Sequence, residues 1–77
     1  MADRSLKLRK LRRILRRYGV AEDPSRGKGS HTVFYRGNVS YPVPTESDVK
    51  KCYVQGCRRR FQLTAEDGVS DKEFYSD

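Results

Sequence analysis

His31, the one histidine among 77 residues, closes the run Gly27-Lys28-Gly29-Ser30-His31, with Arg26 just before it. An imidazole exchanges protons near neutral pH, and fixed cations beside such a ring disfavour a second positive charge. That combination suits work on phosphodiesters. For RNA cleavage, His31 would take the 2′-hydroxyl proton as general base, while Arg26 and Lys28 hold the phosphate and stabilise charge on phosphorus. A single positioned base contributes roughly 10² to 10⁴ in rate, so a nuclease built on it would be slow; taken alone, a single strand-borne histidine is more often structural. Ser30 could orient the ring or satisfy a turn, and Arg26 and Lys28 could equally be solvated loop charges. Gly27 and Gly29 would let the backbone turn tightly and approach a ligand.

Metal chemistry has no evident ligand set. Cys52 and Cys57 are the only cysteines and fall within a predicted helix, roughly 7.5 Å apart along its axis and about 140° apart around it. This argues against a disulfide and, with one distant histidine, against a tetrahedral site. Two small buried thiols are expected, with no metal and no cofactor.

The net charge of +7 conceals a division. Residues 1–60 carry 16 Lys and Arg against 5 Asp and Glu, net +11, whereas residues 61–77 carry 1 against 5, net −4. A basic body attracts polyanions, with salt-sensitive affinity. The acidic end, with Glu66, Asp67, Asp71 and Glu73, either folds back to compete with RNA or forms a frayed terminus. With 35% apolar residues, the chain allows one small domain and a shallow working surface. Neither a membrane span nor a secretory signal is evident, so a cytoplasmic protein is expected.

The elements that must position His31 follow from periodicity. Leu8, Leu11, Ile14, Leu15 and Tyr18 form one stripe of a predicted helix over residues 3–18, opposite Arg9, Arg12, Arg13, Arg16 and Arg17, and Gly19 is placed to cap it. Leu6 lies off the stripe. Residues 20–26 could make a short edge strand, and residues 30–36 and 39–43 a hairpin around Gly37-Asn38. Thr45 and Asp48 resemble a capping box for a second helix reaching Phe61, with Val49, Cys52, Tyr53, Gly56, Cys57 and Phe61 on its apolar face. Gly56 there could admit close packing of another element. Residues 65–69 read as an exposed turn, and Ser70 to Glu73 as the start of a short helix carrying Phe74 and Tyr75.

This order, with Leu11-Arg12-Arg13-Ile14-Leu15, Tyr18-Gly19-Val20 and Gly27-Lys28-Gly29-Ser30-His31, resembles the HicA family of toxins over residues 6–63. The resemblance implies a double-stranded-RNA-binding-domain-like α+β fold: α-β-β-β-α, a three-stranded antiparallel sheet with two helices on one face, here with a short C-terminal helix. Residues 1–64 would form that domain and residues 65–77 an acidic extension. It also implies an mRNA interferase with His31 as catalytic residue, neutralised by a HicB-like antitoxin. A second histidine, which many members carry near a Val-Pro step, is absent: Thr45 and Glu46 follow Val43-Pro44.

Alternation alone leaves two inward faces open, Thr32-Phe34-Arg36 or His31-Val33-Tyr35. The resemblance buries Phe34, leaving Tyr35 about 13 Å from His31 to stack a base or meet the antitoxin. Arg12, Arg13 and Arg16, extended by Lys51, Arg58 and Arg59, are candidates for phosphate contact. The competing readings are a catalytically inactive RNA-binding module on the same surface and a DNA-binding partner in an autoregulating complex.

Overall fold

The computed structural model describes residues 3–27 and 29–76. Lys28, with its expected phosphate contact, lies outside the described residues. The chain runs β1 (Leu6–Lys7), α1 (Leu8–Arg17), β2 (Ala21–Asp23), a 3-10 turn (Pro24–Gly27), β3 (His31–Arg36), β4 (Val39–Pro44), β5 (Asp48–Val49), α2 (Lys51–Arg60), a second 3-10 turn (Ala65–Asp67) and α3 (Asp71–Tyr75). It is a small α+β fold with the antiparallel order β2-β3-β4, and the core lies between this sheet and the helices. Leu11, Ile14 and Leu15 of α1 and Val54 and Cys57 of α2 meet Phe34 and Val43 of the sheet there.

Helix α1 begins at Leu8, not Asp3, because Leu6 and Lys7 are extended and pair with Val49 and Asp48. This two-stranded ladder buries Leu6, which explains its place off the stripe. Neither Lys7 nor Lys50 caps its helix with a side chain. At α1, the Leu8 N–H donates to the Ser47 carbonyl at 2.9 Å, satisfying one of the donors a helix start leaves open. The proposed Thr45–Asp48 capping box is therefore corrected: Asp48 belongs to β5, and α2 starts at Lys51.

Gly19 ends α1 as expected, with φ +79°; the Gly19 N–H donates to Arg16 and the Val20 N–H to Leu15. Gln62 repeats this geometry after α2 at φ 58°, with the Leu63 N–H donating to the Arg58 carbonyl at 2.7 Å. Arg36, at the end of β3, bridges the two helix ends by donating to the carbonyls of Tyr18 at 3.2 Å and Phe61 at 2.6 Å. A cation suits the partial negative charge of both C-termini.

The chain's acidic end is built into the domain. Phe74 is fully buried and Tyr75 nearly so, within the same core cluster as α1 and the sheet. Ser70 caps α3 by accepting from the Glu73 N–H at 3.1 Å. Arg17 donates to the carbonyls of Glu73 and Phe74, both at 3.3 Å.

Candidate functional site

Strand β3 resolves the alternation. Thr32 and Phe34 are fully buried toward the helices, which turns His31, Val33 and Tyr35 to the opposite face. Cross-strand pairing puts Pro44, Pro42 and Ser40 beside them on one flank, and Asp23 and Ala21 on the other. The 3-10 turn after β2 folds across this face. Its Arg26 guanidinium lies 5.8 Å from the Tyr35 ring centroid, within reach of a cation–π contact. Val33 is buried but stands outside the main core cluster.

Gly27 is required for that turn to lie so close. A β-carbon there would stand 2.9 Å from the Thr32 nitrogen and 3.2 Å from the His31 β-carbon. The close approach anticipated for Gly27 is thus to β3 itself. Gly29, at φ +82°, makes the left-handed step into the strand.

His31 is exposed, and its Nδ1 lies 3.0 Å from the Ser30 hydroxyl. Thr45, just past the end of β4 that pairs with His31, secures this corner: its N–H donates to the Ser30 carbonyl at 3.0 Å and its hydroxyl to the Gly29 carbonyl at 3.1 Å. The residue read as a helix cap therefore positions the histidine loop. No local pattern announces this, because the contact depends on how the hairpin closes.

Asp23 adds a carboxylate to the His31 face. The Ser25 hydroxyl and backbone N–H hold its pKa below the usual carboxylate range, with Arg26 contributing favourable charge. The face thus combines an imidazole, a guanidinium, an aromatic ring and an ionised acid.

The wider basic surface divides. Lys51, Arg16 and Arg59 are exposed, and their side chains form no hydrogen bond or ion pair among the described residues. Arg13 is exposed on the same helix as Arg16. Arg12 turns to Glu22 in a two-pronged ion pair, its Nη2 at 3.2 Å from Oε2, and Glu22 also accepts from Thr32 at 2.7 Å. Arg12 is therefore largely neutralised within the fold.

Arg58 requires a full correction. Only 3% exposed, it cannot present itself to a phosphate: Nη1 meets Asp3 at 2.8 Å and Asp71 at 2.7 Å, while Nε and Nη2 donate to the carbonyls of Leu63 and Val69. Its guanidinium also sits 4.7 Å from the Phe74 ring centroid. Arg58 lies four residues after buried Val54 and three before buried Phe61, a helical spacing that signals burial. The cysteines are corrected as well. Cys57 is buried, and desolvation pushes its thiol up to about 12, but Cys52, about 140° around α2 from it, is exposed.

Among the described residues, no helix is long and apolar enough to cross a membrane. Comparison of the chain with protein-family models, with curated proteins and with solved structures found no match.

Proposed function

We propose that this chain is a metal-independent endoribonuclease of the HicA toxin kind, an mRNA interferase acting in the cytoplasm and silenced by a HicB-like antitoxin over its His31 face. The carrying observation is the exposed His31, held at Nδ1 by Ser30 at the end of the sheet face that the Pro24–Gly27 turn crosses and where Arg26 stands over Tyr35. When Nδ1–H donates to the Ser30 oxygen, Nε2 is left as the base.

In the proposed step, Nε2 removes the proton from a ribose 2′-hydroxyl, and the 2′-oxygen bonds to the adjacent phosphorus. The P–O5′ bond breaks, and the departing 5′-oxygen takes a proton from water or the newly formed imidazolium. The products are a 2′,3′-cyclic phosphate and a 5′-hydroxyl. Arg26, resting over Tyr35, supplies a cation for a backbone phosphate flanking the cleaved linkage, and Tyr35 the edge of an aromatic surface for a neighbouring base.

The test compares wild type with His31→Ala on single-stranded RNA in EDTA, following both cleavage and binding. Wild type should yield cyclic-phosphate ends, while His31→Ala should bind with similar salt sensitivity and leave the RNA intact. Equal cleavage by both proteins overturns the role of His31. Binding without cleavage by wild type makes the chain an inactive RNA-binding module, and preference for duplex DNA at matched salt favours a DNA-binding partner.

A further inference from the structure

A second basic surface lies at the other end of the β3-β4 hairpin and on the opposite side of the sheet from His31. Arg36, Val39, Tyr41, Gly56, Arg59, Arg60 and Gln62 enclose an open groove of about 630 Å³ between β4 and the last turn of α2. Among the described residues, no acidic side chain lines it. The groove beside β2 differs, because there Glu22 neutralises Arg12.

Three features make this groove suited to an anion. The Arg59 guanidinium has no partner among the described residues, and Arg60 uses only Nε, donating to the Ser40 carbonyl at 3.0 Å. Helix C-termini ordinarily repel anions, but Arg36 occupies the Tyr18 and Phe61 carbonyls at the ends of α1 and α2. Tyr41, half-buried against Gly56, supplies an aromatic wall.

We propose that this groove binds backbone phosphates of a single-stranded RNA through Arg59 and Arg60, several nucleotides away from the linkage at His31. The inference rests on the ribonuclease reading for the identity of its ligand. Guanidinium groups bind phosphate oxygens through paired N–H donors, and Tyr41 offers a sequence-tolerant stacking surface. His31 and Arg36 are separated by about 17 Å along β3. A strand occupying both places must cross from one side of the sheet to the other, round the Gly37-Asn38 turn or over the edge of β4, where Arg60 already reaches from the groove to Ser40. An unpaired strand makes that turn readily, whereas a short duplex resists bending on this scale.

The experiment measures fluorescence anisotropy of a labelled single-stranded RNA with the His31→Ala protein, alone and combined with Arg59→Gln, Arg60→Gln or both. Circular-dichroism melting checks folding, and Arg59→Gln carries the test if Arg60→Gln unfolds the domain. The double substitution should weaken binding at least about tenfold. It should also lower the salt slope by about 0.7 per lost phosphate contact. Duplex RNA should bind more weakly and lose less from the substitutions.

Unchanged single-strand affinity and salt slope overturn the groove. So does a loss confined to an acidic probe, polyglutamate, which identifies a protein-binding surface instead. Equal effects on duplex RNA overturn the single-strand assignment. A wild type that cuts RNA while Arg59 and Arg60 prove dispensable for binding leaves the His31 reading standing without the groove. RNA held by these arginines yet never cut leaves the groove standing without the nuclease.

Discussion

Tyr41 lies across the α-carbon of Gly56 so closely that a β-carbon there would overlap the phenol oxygen and its ring carbon. Gly56 costs α2 about 1 kcal/mol in helix propensity relative to Ala, while overpacking costs about 1–3 kcal/mol. Gly56→Ala should therefore destabilise the domain by about 1 kcal/mol. In a Tyr41→Ala background the same change should become stabilising by a similar amount, since the obstruction is gone. Urea titration of the four proteins checks this; the same sign in both backgrounds would refute the contact.

Gly27→Ala tests the seating of the histidine loop. The new β-carbon would press on the Thr32 nitrogen and the His31 β-carbon, so β3 or the 3-10 turn must shift. RNA cleavage should fall about 10- to 100-fold, with little loss of salt-dependent binding, because small displacements of a base are costly to catalysis. Undiminished cleavage would show that the proximity is unimportant.

Arg58→Ala and Arg59→Ala are adjacent changes with very different expected costs. Removing Arg58 empties a buried site and strips partners from Asp3, Asp71 and two carbonyls, a loss of about 3–5 kcal/mol. Arg59 is exposed, so its removal should alter stability by no more than about 0.5 kcal/mol. Thermal melting of both variants decides the point, and equal melting temperatures would contradict the burial of Arg58.

Acid should weaken the fold through Glu22 and Asp71. The Arg12 hydrogen bond, aided by Thr32, holds Glu22 below its ordinary 4.5, and the Arg58 hydrogen bond holds Asp71 below 3.8. The unfolded chain then binds more protons at these groups than the folded one. Their stabilisation is complete above the ordinary carboxylate values and is lost as pH falls through the depressed ones. Glu22→Gln and Asp71→Asn should each flatten the fall in urea midpoint between neutral pH and pH 3; a slope as steep as wild type would exclude these pairs as its source.

The thiols should react unequally. With Cys52 exposed and Cys57 buried and pushed up to about 12, a thiol reagent should titrate one group rapidly in the native protein and the second only on unfolding. Two equally fast reactions would place Cys57 at the surface.

Patterns confined to neighbouring residues were legible in the sequence. The α1 stripe, the Gly19 cap and the Gly37-Asn38 hairpin each follow from local chemistry, and Gly56 signalled close packing without revealing Tyr41 as the partner. The pairing of Leu6 with Val49 and the seating of Thr45 on the Gly29-Ser30 corner arise between distant segments. The charge of Arg58 points to solvent, whereas Asp3 and Asp71 arrive from opposite ends of the chain to compensate it in the interior. For the site, alternation leaves two faces open and only the packed fold chooses between them, burying Phe34 and exposing His31; the arginine surface is less uniform than charge alone suggests.

Asp3 and Asp71 converge on one guanidinium, and the Tyr75 hydroxyl donates to the same Asp3 carboxylate at 2.8 Å. Severing the chain at exposed Gly68 and losing the segment from Val69 onward would remove Phe74 and Tyr75 from the core and strand Arg58 without Asp71. Truncation would therefore compromise folding before it could report whether acidic residues restrain RNA binding. A single proteolytic nick in this exposed turn could make the whole domain vulnerable to degradation, coupling its lifetime to a few residues far along the chain from His31.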